Sequence, residues 1–245
     1  MAAQLLLAAE PEGVACAFIG AASDNFYESV FPHGCYRKNT IEEWEPAREM
    51  LPEIELHPAY DDFWEARNPR ARADRVQVPV YILSGWFDLF QRSATAFFEE
   101  VHNNGHPQTH GQCKLVINTR AHATSSGALK FPDRSGINPD DAVGSIQDWC
   151  DYWLKGKDNG ILDKPAAAIF VMTDPAAPEA NGNAWMLDDN WPPPAEALDL
   201  YLYAGGALRP EPAPGCGSRH GLCVRPGRPH PLARREQPEA AQRPL

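Results

Sequence analysis

Two short runs constrain this chain more than anything else in it: Val78–Ser84 (VPVYILS) and Lys114–Thr119 (KLVINT). Both are nearly continuous in apolar residues, with no polar alternation, so each reads as a strand buried on both faces. Between them, Arg92–Asn103 places Ala94, Phe97, Phe98 and Val101 on one helical stripe. Val14–Gly20 (VACAFIG) is a third apolar run, preceded by the strong helix former Ala2–Glu10 (AAQLLLAAE). Ser145–Lys155 is a further helix, with Ile146, Trp149 and Trp153 on one side and Gly156 just past its end. This αβαβα order predicts an α/β fold, a parallel sheet flanked by helices.

Two stretches depart from that order. Residues 24–75 are rich in Trp, Tyr, Phe, Pro and Glu and are too long for an ordinary connection. They read as a mostly helical insertion over the sheet edge, either a lid that shapes a pocket or a subdomain that only adds packing. After residue 165, Ala166–Thr173 and Leu198–Tyr203 are strand-like, with Asn181–Pro194 a loop between them. Residues 166–208 are therefore expected to begin a second, all-β unit, leaving 1–165 as the α/β portion. Residues 209–245 differ again: they hold 7 Arg, 3 Glu and 8 of the 24 prolines, with no Lys and no aromatic residue. Such a tail is expected to be disordered.

In an open parallel sheet, ligands bind beyond the carboxyl ends of the strands. Two polar residues fall there. Asp88 lies four residues past Ser84, and His122 three past Thr119. An acid and a later histidine beyond consecutive strands match two members of an acyl-transfer triad, in the chain order nucleophile, acid, histidine. The plain alternative is a solvated turn Asp and a surface His. No nucleophile accompanies them: Ser23, Ser29, Ser84, Ser93, Ser125, Ser126, Ser135 and Ser145 all lack a G-x-S-x-G setting. That motif would come just before a helix such as Ala2–Glu10, so the chain is expected to begin just after its nucleophile.

Other chemistries find little support. No G-x-x-x-x-G-K, no G-x-G-x-x-G after a strand and no H-E-x-x-H is present. The cysteines at 16, 35, 113, 150, 216 and 223 form no C-x-x-C pair, which argues against a structural zinc site. The net charge of −11 argues against nucleic acid. No apolar run is long enough for a membrane span. With no secretory signal visible, the expected compartment is cytoplasmic.

Several strings together resemble a known group. They are Gly20-Ala21-Ala22-Ser23-Asp24, His57-Pro58 with Asp61-Asp62-Phe63-Trp64, Gly85-Trp86-Phe87-Asp88, and Tyr152-Trp153-Leu154-Lys155-Gly156-Lys157-Asp158-Asn159-Gly160. The chain is similar, from about residue 2 to 208, to the X-Pro dipeptidyl-peptidase-like serine hydrolases. This is the group of cocaine esterase, α-amino-acid ester hydrolases and glutaryl acylases. The resemblance implies a partial α/β-hydrolase fold with a helical cap at 24–75, followed by the beginning of a β jelly-roll. It implies ester or amide hydrolysis through a seryl acyl-enzyme, on a small-molecule or short-peptide substrate and without cofactor or metal. Asp88 matches the family's triad acid and His122 its histidine, although Arg120-Ala121-His122-Ala123 departs from the family's usual G-P-W-x-H-G. Trp86 and Phe87 are expected to border the acyl pocket.

The family serine has no counterpart here, so the chain is expected to be a fragment that is inactive alone. The alternative is a non-catalytic subunit that pairs with a chain carrying the missing half. The resemblance stops at Gly205-Gly206-Ala207-Leu208. Back-translating Arg219–His230 and dropping one base yields ATAYAYDPADPT, of the family's type, which points to a frameshift between about Leu208 and Gly215.

Overall fold

In the computed structural model, which describes residues 1–43, 45–122, 129–136, 142–176, 182–203 and 206–212, the apolar runs form the middle of one sheet. The element order is α1 (Ala2–Ala8), β1 (Ala17–Gly20), the short helices α2 (Phe26–Val30), α3 (Lys38–Glu43), α4 (Glu45–Arg48), α5 (Leu51–Leu56) and α6 (Asp62–Glu65), then β2 (Val80–Phe87), α7 (Gln91–His102), β3 (Lys114–Ala121), α8 (Ile146–Lys155), β4 (Ala167–Val171) and β5 (Ala184–Asp188). The strands lie in the order β1-β2-β3-β4-β5, the first four mutually parallel and β5 antiparallel to β4. The α/β fold expected from the strand and helix order is therefore the fold found.

Both faces of the sheet are covered, which is why its strands carry no polar alternation. On one face Val80, Ile82, Leu115 and Ile117 pack with Leu7 of α1 and with Phe97, Phe98 and Val101 of α7. On the other, Tyr81, Val116 and Ala168 meet Trp149 of α8 and Ile161. Each large side chain so buried stabilises by roughly 1.5–3 kcal/mol.

Helix α8 has defined ends. The Asp148 N–H donates to Ser145 Oγ at 3.0 Å, and the Ser145 N–H donates back to the Asp148 carboxylate at 3.0 Å. This reciprocal cap lowers the free energy by about 1 kcal/mol. Gly156 closes the helix at φ 63°, a left-handed conformation that a β-carbon disfavours.

The segment joining β1 to β2 has a core of its own, made of Phe26, Val30, Ile41, Ala47, Ile54 and Trp64. The His57-to-Trp64 string acts as its fastener. The Trp64 indole donates to His57 O at 2.8 Å, and the His57 ring stacks on Phe63 at 4.3 Å. His57 Nδ1 lies 2.6 Å from the Asp61 carboxylate, which also caps α6 by accepting the Phe63 N–H. Arg70 ties this segment to the end of β1: it donates to Glu28 at 2.6 Å and lies 3.6 Å from the fully buried Asp24 carboxylate. Burial pushes the Asp24 carboxyl up to about 6 against the pull of Arg70.

Two expectations are corrected by the strand pairing. Ala166–Thr173 does not open a separate β unit. Its core, β4, joins the main sheet through Leu115↔Ala167, Val116↔Ala168 and Ile117↔Ile169. The small residues Ala167 and Ala168, both fully buried, suit a strand packed on both faces. Asn181–Pro194 is not all loop, because Ala184–Asp188 pairs along the whole of β4 as β5. Its turn-rich composition hides a strand that the β4 edge organises.

The structure divides into two compact units between Pro194 and Ala195. Among the described residues of the second unit, β6 (Tyr201–Leu202) pairs antiparallel with β7 (Leu208–Arg209), so the expected strand Leu198–Tyr203 is shorter than its pattern. Residues 213–245, with most of the Arg/Pro-rich tail and with Cys216 and Cys223, lie outside the described residues. Among the described residues Cys16, Cys35, Cys113 and Cys150 are free thiols, and no helix is long and apolar enough to cross a membrane.

Candidate active site

The carboxyl ends of β2 and β3 meet through an irregular register. Gly85 pairs with Asn118, but Phe87 pairs with Ala121, so β3 carries one extra residue over this interval. Such a bulge re-aims the side chains beyond it. Gly85 makes the close approach possible: a β-carbon there would stand 2.0 Å from Arg120 O and 2.8 Å from Asn118 Oδ1. Asn118 holds the bulge by accepting the Arg120 N–H at 2.9 Å.

Beyond the bulge, Asp88 and His122 come together as the sequence predicts. His122 Nδ1 lies 3.0 Å from Asp88 Oδ2. The carboxylate is fixed from its other side, where Oδ1 accepts the Phe90 N–H at 2.6 Å. The chain turns tightly here, with the Asp88 N–H donating to Gly85 O at 2.9 Å and the Gln91 N–H to Asp88 O at 3.1 Å. The Asp88 side chain is 2 % exposed and that of His122 49 %. An ionised carboxylate only accepts, so it selects the tautomer with hydrogen on Nδ1 and leaves Nε2 as an acceptor. The arrangement is a buried acid steadying a half-exposed base, which can accept a proton at Nε2 and be stabilised as imidazolium. Among the described residues no serine, threonine or cysteine side chain hydrogen-bonds this ring, and no group of three or more His, Cys, Asp or Glu side chains converges as a metal site.

The two aromatic candidates part company. The Trp86 indole donates to Phe170 O at 2.7 Å and meets Trp191 edge-on at 6.3 Å, which anchors it to β4. With Ile169, Met172, Met186 and Trp191 it lines an apolar cavity of about 340 Å³. Phe87 is 39 % exposed and lies against Phe131 at 6.1 Å. The ring beside His122 is one the sequence reading passed over: Phe90 meets the imidazole edge-on at 5.3 Å. Gly85 stood in the sequence only as the head of the Gly85-Trp86-Phe87-Asp88 string, although glycine inside an apolar strand is a signal of close backbone approach.

Comparison with known proteins agrees with the sequence resemblance. Residues 45–124, which include both Asp88 and His122, match the family model described as X-Pro dipeptidyl-peptidase (S15 family). A Mycobacterium bovis protein named a serine esterase is 33 % identical over 141 residues, covering 57 % of this chain and 20 % of its own. A Bacillus cereus protein named an Xaa-Pro dipeptidyl-peptidase is 25 % identical over 148 residues, covering 58 % of this chain and 21 % of its own. The chain thus spans about a fifth of the length of these relatives. Among solved structures, an α-amino acid ester hydrolase superposes with TM-score 0.61 at 18 % identity, covering 87 % of this chain and 42 % of that one. A CocE/NonD family hydrolase from Staphylococcus aureus superposes with TM-score 0.59 at 15 % identity, covering 82 % and 35 %. The fold is that of these hydrolases.

Proposed function

We propose that this chain carries the acid and the base of a serine-hydrolase site that cleaves esters or amides through an acyl-enzyme. The observation that carries the reading is the 3.0 Å contact between His122 Nδ1 and Asp88 Oδ2 at the carboxyl end of the sheet. The S15 match over the segment holding both residues, and the esterase and peptidase relatives, support the same class.

In this reading His122 Nε2 takes the proton of a serine hydroxyl as the oxygen attacks the carbonyl carbon. It then returns the proton to the departing alcohol or amine. Asp88 holds the tautomer and offsets the positive charge of the imidazolium. The serine comes from sequence that this chain does not contain, since none of its serines has a nucleophile setting. The chain alone is then without acyl-enzyme turnover. Phe90 stands against the His122 ring, Trp86 fixes β2 to β4, and in this reading Trp86 and Phe87 border the acyl pocket. The substrate is a small ester or amide, or a short peptide.

Two measurements test this. Nitrogen-detected NMR of the chain should show His122 protonated at Nδ1, with the tautomer becoming mixed in Asp88→Ala; an Nε2-protonated ring in the parent would overturn the assignment of acid and base. Hydrolysis of p-nitrophenyl acetate by the chain should equal that of His122→Ala, and a rate that falls at least tenfold in the variant would refute the missing nucleophile.

A second reading has support from the sheet edge. Among the described residues β1 ends the strand order, with Phe18 42 % and Leu6 55 % exposed, and an unpaired strand edge invites another chain. On this reading the chain is a non-catalytic subunit whose partner adds a strand to β1. Size-exclusion chromatography of a co-purified, defined complex supports it, and a soluble monomer opposes it.

A further inference from the structure

Arg120-Ala121-His122-Ala123 is not the family's usual string, so whatever aims the imidazole must come from this chain's own residues. Asn118 occupies the place from which that can be done. It is the last residue of β3 in register with β2 before the shift, opposite Gly85, and it is 4 % exposed. From there β2 takes two steps to Phe87 while β3 takes three to Ala121. A surplus residue leaves a backbone N–H without a regular place in the ladder. The Arg120 N–H is instead taken by Asn118 Oδ1, two residues back, at 2.9 Å. A short side chain ending in an oxygen is what reaches the N–H two positions on, and Asn and Asp do so best.

Gly85 supplies the space. A β-carbon there would stand 2.8 Å from Asn118 Oδ1, so the amide of one strand fills the room left by the missing side chain of the other. A further contact grips the segment: Thr119 Oγ1 lies 2.7 Å from Ser135 Oγ, which ties β3 to the turn at Asp133–Ser135. That contact does not occupy the Arg120 N–H.

We propose that Asn118 is a positioning residue for His122: its amide oxygen keeps the surplus residue in β3 and so places the ring's Nδ1 against Asp88. The proposal rests on the reading of Asp88 and His122 as acid and base. Asn118 acts through the backbone. Without its oxygen the Arg120 N–H turns to a carbonyl of β2, the bulge closes, and the strand end moves by one position, roughly 3.3 Å. The contact between Asp88 and His122 does not survive that displacement.

The test follows three variants of the folded chain by nitrogen-detected NMR of His122 and by hydrogen exchange at the Arg120 amide. Asn118→Ala removes the acceptor, so the Arg120 N–H should exchange about tenfold faster and the Nδ1 tautomer of His122 should become mixed. Asn118→Asp keeps an oxygen of the same reach and should match the parent in both readings. Thr119→Val cuts the tie to Ser135 and should leave the tautomer as in the parent. The proposal is overturned if Asn118→Ala keeps the parent tautomer or if Asn118→Asp loses it as fully as Asn118→Ala. It is also overturned if Thr119→Val mixes the tautomer equally, since that marks general loosening. An Nδ1-protonated parent with an unchanged Asn118→Ala removes the positioning role and spares the acid–base pair, whereas an Nε2-protonated parent removes both.

Discussion

The two ends of β3 solve opposite problems with one strand. At its carboxyl end His122 is half in water while its partner Asp88 is buried, so the base is presented and the acid is hidden. At its amino end Lys114 is buried, and among the described residues it meets two backbone carbonyls and no paired carboxylate. The first end keeps a charged group at low cost by giving it two hydrogen bonds, from His122 and from the Phe90 N–H. The second end makes the charged form more expensive and pulls the amine down to about 8. The apolar interior of the strand is common to both. What differs is what each end meets: an imidazole and a backbone N–H at one, two backbone carbonyls at the other.

Three perturbations break or sharpen that contrast. The largest effect is expected from Gly85→Ala, whose β-carbon would stand 2.0 Å from Arg120 O. Backbone cannot yield there cheaply, so a loss of about 3 kcal/mol or more in urea unfolding is expected, together with loss of the Nδ1 tautomer signal of His122.

The second concerns pH. The folded chain holds the Lys114 proton less tightly than the unfolded chain, whose lysine titrates near 10.5. Between about pH 8 and 10.5 the unfolded state therefore binds more protons, and stability rises with pH. The rise should be on the order of 2 kcal/mol in the parent and absent in Lys114→Met, read by urea unfolding at a series of pH values. A flat profile in the parent would mean that the amine is solvated.

The smallest effect is expected from Asp88→Ala, which removes the acceptor of the Phe90 N–H and the partner of His122. About 1 kcal/mol should be lost, as for a helix cap, because the freed imidazole can turn to water. A loss several times larger would mean that the carboxylate holds the β2–α7 turn together and is more than an acid for His122.

The parts of the molecule that were legible in advance are those whose signal is local. The β2 and β3 runs, the α7 stripe and the Ser145-to-Gly156 boundaries of α8 carry their own instructions in composition and caps. The placing of Asp88 and His122 past the strand ends was legible too, because it is a property of the chain order. Strand β5 was not, since Asn181–Pro194 looks like loop until β4 offers it an edge. Phe90 was missed for a related reason: its place against the imidazole depends on the turn that Asp88 itself organises. Lys114 could be read only as the polar first residue of a strand. Its burial comes from backbone 50 residues further on, at Lys164 and Pro165, and no pattern near residue 114 announces it.

The extra residue between Asn118 and Ala121 makes the distance from acid to base a matter of counting. A strand advances by roughly 3.3 Å per residue, more than a hydrogen bond of 3.0 Å can absorb. Lengthening or shortening β3 by one position there would switch the pair off outright, with no weakened intermediate. Fine adjustment of this site is open to side chains alone, and chain length acts on it as a digital control.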